Sequence, residues 1–238
     1  GKVLLAGKFT SLLGAKRSNI ARLNADGSLD QGFDPNADGV VFSLLVLADG
    51  QILLGGSFKS LQPNGTTKSV PRRNIAKLQA DGTADEKFTL RADSIVSTMA
   101  QQKDGKIMLG GYFMSLQSSG SAVEVPQENL ARIDVAGNID GTFKLNANLM
   151  MRSIVVQRDG SILLGGALGS LTSSGSAKPS AHQGIARLKA DGTIDEAFSP
   201  GADSDVNAVL EQPDGKILLV GDFAKVRPNG KQVEVPRR

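Results

Sequence analysis

The sequence has no cysteine and no tryptophan, and only one histidine and one tyrosine among its 238 residues. Without cysteine there is no disulfide framework and no thiolate chemistry. This does not fix the compartment, because exported bacterial proteins also lack cysteine. With His182 as the sole histidine, histidine-based zinc sites and Ser-His-Asp arrangements repeated along the chain are excluded. His182 sits in the polar stretch Ser180-Ala181-His182-Gln183, where a solvated side chain is expected, and no G-x-S-x-G elbow accompanies it. No apolar run approaches the roughly 18 residues that would cross a bilayer as a helix. P-loop and dinucleotide fingerprints are absent from any strand-to-helix context. A net charge of +3 is too small to argue for nucleic acid. The scarcity of tryptophan and tyrosine also removes stacking platforms for single strands. No nucleic-acid partner and no cofactor or metal is expected.

Glycine, by contrast, is abundant at 28 residues. Glycine without a collagen-like period points to frequent tight turns and many short strands. The dominant feature is repetition, which must be recognised before any local reading. One phrase occurs as GKVLLAGKF at 1–9, GQILLGGSF at 50–58, GKIMLGGYF at 105–113, GSILLGGAL at 160–168 and GKILLVGDF at 215–223. A second follows the first four copies: NIARLNADGSLD at 19–30, NIAKLQADGTAD at 74–85, NLARIDVAGNID at 129–140 and GIARLKADGTID at 184–195. From Gly50 the spacing is 55, and the first interval of 49 is shorter within one loop.

Each repeat reads as four strands. A short apolar first strand, such as Val40–Val46 or Val206–Glu211, meets an Asp-Gly pair (Asp49-Gly50, Asp104-Gly105, Asp159-Gly160, Asp214-Gly215). Asp-Gly between apolar runs is a strong hairpin signal, because a two-residue turn needs positive φ. The second strand follows, as in Ile107–Phe113, and the Ile-Ala-Arg/Lys-Leu segment forms the third. Another turn (Asp26-Gly27, Asp81-Gly82, Gly137-Asn138, Asp191-Gly192) leads into a short fourth strand ending at Phe33, Phe88, Phe143 or Phe198. The second strand is apolar on both faces, so both faces of its sheet must be covered. The fold expected is therefore all-β: a β-propeller with four-stranded blades of about 55 residues. At least five repeats are represented, starting near Gly1, Gly50, Gly105, Gly160 and Gly215, with the first and last incomplete. A β-helix is the rival, but its rungs are shorter. The Gly-Gly pairs of the second strand are expected to mark a bulge or a close backbone approach.

The phrases DGKILLGG, NIARL and the ADGxxDxxF run that follows it resemble the delta-60 repeat family of tandem β-repeats from large bacterial proteins. The resemblance implies a propeller, an exported or surface-associated bacterial protein, and no established enzymatic role; it transfers no functional residues. The chain starts inside a turn, without a methionine or signal peptide, and stops where Asn-Ile-Ala-Arg is due. Residues 1–238 are accordingly expected to form a single propeller or a fragment of a longer one.

Two sets of repeated charges invite a functional reading. Turn aspartates, and the set Asp30, Asp85, Asp140 and Asp195, could act as acids or bind calcium. The dense D-x-D-x-D-G loop is absent, and both sets are read as bracing their own backbone. Arg22, Lys77, Arg132 and Arg187 recur at one position and are expected to pair with those aspartates between blades. The alternative is a ring of cations around an anion. The Phe and Leu repeats are read as core.

Function is expected where the repeats differ. Loops between the second and third strands are long and variable: Leu12–Ser18, Gln62–Arg73, Gln117–Glu128, Thr172–Gly184 and Arg227–Arg238. Binding is usually placed on such loops of a rigid scaffold. They carry Lys16, Arg17, Lys68, Arg72, Arg73, Lys178, Arg227, Lys231, Arg237 and Arg238 against Glu124, Glu128 and Glu234. The residues assigned to partner binding are Arg17, Lys68, Arg72, Arg73, Lys178, Arg227, Lys231 and Arg237. The first reading is a non-catalytic binding or scaffold module of an exported or cell-surface protein, meeting a protein or surface polymer. A glycan-binding component of an outer-membrane uptake system comes second. A polysaccharide-active enzyme, which would need paired carboxylates, comes last.

Overall fold

The computed structural model describes residues 1–173, 178–229 and 235–236. Those residues form β-strands and turns, with one 3-10 turn at Pro63–Gly65. Two compact units are present. One comprises Gly1–Val96, Phe113–Pro126 and Ala136–Asn138; the other comprises Ser97–Tyr112, Gln127–Val135 and Ile139–Arg238.

In the first unit, Val40–Val46, Ile52–Ser57 and Ile75–Leu78 make an antiparallel three-stranded sheet with Ile52–Ser57 in the middle. Ile52 lies opposite Val46 on one side and Leu78 on the other. Val3–Ala6 pairs with Ile20–Leu23 in the same unit. The second unit repeats the pattern with Met151–Val156, Ile162–Gly166 and Ile185–Leu188. There, Val206–Glu211 and Ile217–Gly221 form a two-stranded sheet. Middle strands that are apolar on both faces are buried on both: Ile52–Gly56 and Ile162–Gly166 are buried throughout.

The fourth strand is reduced to single antiparallel bridges, Leu23↔Leu29, Leu78↔Ala84, Ile133↔Ile139 and Leu188↔Ile194. The aspartate that follows ends the pairing. Asp85 donates its N–H to the Lys77 carbonyl, and its side chain then accepts from the Lys87 N–H, which turns the chain away. Asp30, Asp140 and Asp195 accept from Gly32, Thr142 and Ala197 in the same way.

The long connections are more ordered than their sequence suggested. Near the sharp bend that follows the second strand, the chain pairs again in a second, smaller sheet. In the first unit this is Arg91–Ala92, Ser115–Gln117 and Glu124–Pro126; in the second it is Leu145–Ala147, Ser170–Ser173 and Ser180–Ala181. A repeated polar residue holds each bend. Asp38 accepts from the N–H groups of Lys59 and Ser60, and Asn148 from those of Gly169 and Ser170. Asp203 does the same for Ala224 and Lys225.

The paired glycines have both expected roles. Opposite Gly55-Gly56 the first strand bulges between Val41 and Ser43, and the same shift occurs between Met151 and Ser153 opposite Gly165-Gly166. A Cβ on Gly56 would collide with the Val40 carbonyl, and one on Gly110 would lie 2.9 Å from side-chain atoms of Met151 and Ile154 in the following repeat. Only glycine permits that approach.

Candidate interaction face

The tight turns leave little room for specificity. Asp26, Asp49, Asp81, Asp104, Asp159, Asp191 and Asp214 each accept a hydrogen bond from the N–H two residues on. The side-chain donors Ser28, Ser161 and Lys216, with these N–H bonds behind them, hold the carboxyls of Asp26, Asp159 and Asp214 below their ordinary value, and at Asp81 and Asp191 the N–H bonds of Thr83 and Thr193 lead, with the threonine hydroxyls behind. The aspartates brace their own turns.

The repeated cations are structural as well, with a different wiring from the one expected. Arg22, Lys77, Arg132 and Arg187 pair with Asp30, Asp85, Asp140 and Asp195 of their own repeat, at 2.7, 3.0, 2.8 and 2.8 Å. Each also lies over the phenylalanine that ends its repeat, 4.2 to 5.4 Å from the ring centroid. The eight-residue separation across a hairpin brings base and acid together, so a pair between repeats is unnecessary. Contact with the next repeat comes from another arm of the guanidinium: Arg132 donates to the Asp191 carbonyl at 2.9 Å. The Lys2 ammonium, with Arg22 behind it, pulls the Asp30 carboxyl down to about 2 against the opposing effect of burial. At Asp140 burial pushes upward, but hydrogen bonds from Thr142, Lys106 and Arg132 together outweigh it and hold the carboxyl well below its usual range.

The residues assigned to partner binding separate into three groups. Arg17 and Arg72 are buried at 6% and 8% exposure, and they share one repeat position with Gln127 at 8% and His182 at 3%. Arg17 donates to the Lys16 carbonyl and to Gln31 and lies 3.7 Å from Asp34. Arg72 donates to the carbonyls of Pro71 and Asp85, and burial draws its guanidinium below the ordinary value. Gln127 donates to the Leu130 and Leu145 carbonyls. This position ties the third strand to the segment that follows the fourth-strand bridge, so both arginines face inward. His182 is corrected likewise: it is buried, with Nε2 3.2 Å from the Ser180 hydroxyl, and burial lowers its pKa. A stretch of small polar residues concealed the burial of its ring.

Lys68, Arg73 and Lys178 are exposed and Arg227 is half-buried. Lys231 and Arg237 lie outside the described residues. The structure adds Arg91, which sequence reasoning missed because its repeat counterparts Asn36, Asn146 and Gly201 are not basic. Its one signal was its place in the connection leading to the next first strand. In the first unit, Arg73 and Arg91 line a cavity of about 200 Å³ with Asp93, Ser115, Gln117 and Glu124. A neighbouring opening of about 270 Å³ is lined by Lys16, Arg17, Asp34, Asn36, Gln62 and Thr66, among others. In the second unit, Asp203 and Asp205 share an opening of about 200 Å³. Asp203 holds a bend and Asp205 pairs with Arg152 at 3.0 Å, so both carboxylates are engaged. Among the described residues, no group of three or more His, Cys, Asp or Glu could hold a metal ion, and no helix is long and apolar enough to cross a membrane.

The WD40 β-propeller domain of Doa1 superposes with a TM-score of 0.55 at 13% identity, over 84% of this chain and 53% of that one. The extracellular domain of the putative hybrid two-component system BT3049 from B. thetaiotaomicron gives a TM-score of 0.42 at 14% identity, over 89% and 29% of the two chains. The chain thus spans about half of the Doa1 chain it matches, and at this identity the likeness concerns the fold alone. No curated protein matches by sequence. A family profile described as "Domain of unknown function (DUF5122) beta-propeller" matches residues 1–33, 47–88, 102–143, 157–198 and 212–233. Each complete match runs from the Asp-Gly turn to the phenylalanine beneath the Arg/Lys–Asp pair. With the delta-60 phrases and the repeated sheets accounted for together, this chain belongs to the DUF5122 β-propeller family.

Proposed function

We propose that the chain is a non-catalytic binding or scaffold module of a bacterial exported or cell-surface protein. It meets an acidic protein or polymer partner at the end of its repeats that carries the bent hairpins. One observation carries this reading: the two ends of each repeat are built differently. The tight-turn end reuses a single Asp-Gly geometry held by internal bonds. The other end presents Lys68, Arg73 and Arg91 exposed on a rigid base of paired strands, with residues that change from repeat to repeat. Invariant geometry beneath variable, exposed charge is the arrangement that loop-borne recognition uses.

The test is a titration of the 238-residue protein with polyglutamate, polygalacturonate and neutral dextran at several salt concentrations. Binding of an acidic polymer is expected, weakening as salt rises. A Lys68→Glu/Arg73→Glu/Arg91→Glu triple variant is expected to lose at least tenfold in affinity, while Lys189→Glu at a tight turn loses little. Binding to dextran alone, unaffected by the triple change, would replace this reading with a neutral-glycan site. Binding of none of the three would sink it.

A further inference from the structure

One position in each repeat is held by its main chain alone. The carbonyls of Ser18, Arg73, Glu128 and Gln183 accept the N–H of Ala37, Ala92, Ala147 and Ala202 at 2.9 to 3.3 Å. Four different side chains on one recurrent bond mean that the fold makes no demand on the side chain there. The residue before each of those alanines varies as freely: Asn36, Arg91, Asn146 and Gly201. In the second unit the two positions satisfy each other, with the Glu128 N–H donating to the Asn146 amide oxygen at 3.1 Å. In the first unit they hold Arg73 and Arg91, two like charges on one cavity.

The fold does not use these cations. Among the described residues, neither guanidinium makes a hydrogen bond or an ion pair. Arg91 even acts against its surroundings: burial lowers the pKa of Arg72, Asp85 opposes this, and the Arg91 charge lowers it further. Cations gathered at a cost to the fold and left without acids mark a place kept for a ligand.

The other lining residues give that ligand its class. Arg91, Gln117 and Glu124 are direct partners across three neighbouring strands, so their side chains share one face of the small sheet. Arg91 and Glu124 therefore stand about 10 Å apart at the main chain, two strand spacings. Asp93 and Ser115 form the next row of the same cavity, which holds about 200 Å³. At the counterpart bend the Ser60 hydroxyl donates to Asp38 at 2.9 Å. Ser115 and Asp93 make no such bond among the described residues, and the Met114 N–H occupies only one Asp93 oxygen. Gln117 gives its Nε2 to the Ser121 carbonyl, which fixes the amide and leaves its Oε1 to accept.

Two cations and two acids leave the cavity without net charge. A phosphate dianion, or a run of glutamates with no O–H to offer, meets carboxylates it cannot satisfy. A ring bearing one carboxylate and several hydroxyls satisfies both sides. Its carboxylate matches the planar guanidinium forks, and its hydroxyls donate to the acids and the amide. The volume is below the roughly 300 Å³ at which sites for drug-sized ligands begin, which limits the occupant to a single ring.

Building on the acidic-partner reading of this face, we propose that the cavity is a subsite for one hexuronate residue of an acidic polysaccharide. Arg73 and Arg91 hold the ring carboxylate, and Asp93, Ser115, Gln117 and Glu124 hold its hydroxyls.

The probes are trigalacturonate, its methyl ester and polyglutamate, each titrated calorimetrically into the 238-residue protein. Saturable binding of trigalacturonate is expected. Esterification removes the charge and keeps the hydroxyls, and should weaken binding about tenfold, the scale of one lost charge-assisted hydrogen bond. Arg73→Ser/Arg91→Asn installs the residues of the first repeat, Ser18 and Asn36, and should cost at least as much, with circular dichroism confirming that the sheets persist. Glu124→Ala separates recognition from attraction. Loss of a hydroxyl acceptor should weaken trigalacturonate about tenfold, while polyglutamate, relieved of a like charge, binds no worse. If Glu124→Ala strengthened both ligands, the surface would be merely attractive and the uronate subsite overturned. Equal binding of the methyl ester would overturn it too. Binding of polyglutamate without trigalacturonate would overturn the subsite and leave the acidic-partner reading standing; binding of neither would remove both.

Discussion

The cores around Phe143 and Phe198 are built from the same repeat and differ in completeness. Around Phe143 the middle strand is closed on both edges, and Ile162 and Leu164 are fully buried. Around Phe198 the middle strand pairs on one side among the described residues, and Ile217 and Leu219 keep part of their surface exposed. The same difference extends to the ion pair above each phenylalanine. The Arg132 and Asp140 side chains are 6% and 11% exposed, those of Arg187 and Asp195 29% and 18%. Identical local chemistry is thus held to different degrees by what packs beside it.

Truncating the same leucine in each core should expose that difference most strongly. Leu164→Ala is expected to cost about 4 kcal/mol, because a fully buried side chain leaves a cavity its neighbours cannot fill. Leu219→Ala should cost about 1–2 kcal/mol, since its surroundings already admit water. Urea denaturation of the two variants checks this; equal losses would mean that the two leucines are equally enclosed in solution.

The ion pairs should follow with smaller effects. Asp140→Asn leaves Arg132 buried without its charge partner and is expected to cost about 3 kcal/mol. Asp195→Asn leaves an arginine that water can reach and should cost about 1 kcal/mol. Double-mutant cycles with Arg132→Ala and Arg187→Ala separate the pair from the packing of the stems.

Acid sharpens the comparison through proton linkage. Asp30 is held at about 2 in the folded chain, below the roughly 3.9 of an unfolded aspartate. Its contribution is complete above the unfolded value and is lost as the pH falls from about 4 towards 2. His182 works in a higher range. Burial lowers its pKa, so below about 6.5 the unfolded chain takes up a proton that the folded chain resists, and stability falls. His182→Gln, which installs the residue found at the equivalent Gln127, should flatten the pH 5–7 part of a melting-temperature profile while leaving the Asp30 region unchanged. Removing one bend residue should have a modest effect: Asp38→Ala is expected to cost about 1 kcal/mol in the same denaturation assay, because its bonds lie in water.

Much of this was legible in the chain. Repetition gave the strand order, Asp-Gly gave the hairpins, and glycine pairs gave the bulges. The recurrence of Arg22, Lys77, Arg132 and Arg187 beside the repeated aspartates pointed to ion pairs between these two sets, but the expected pairing between blades gave way to pairs within each repeat. The candidate site was less legible, because burial depends on where a turn points its side chains. Arg17, Arg72 and His182 sit among polar loop residues in the sequence, yet their bends rotate them inward. Arg91 was missed because no repeat partner drew attention to it. Asp38, Asn148 and Asp203 did recur at the repeat spacing, but their bonds reach about 21 residues ahead, across a bend that strand periodicity does not reveal.

Local periodicity and turn chemistry alone therefore determined that this chain forms repeated β-sheets, since alternation and Asp-Gly geometry act between near neighbours. Tertiary structure decided which cations reach solvent and how each ion pair is shared between strand and ring. Those outcomes are set by the packing of residues far apart in the chain.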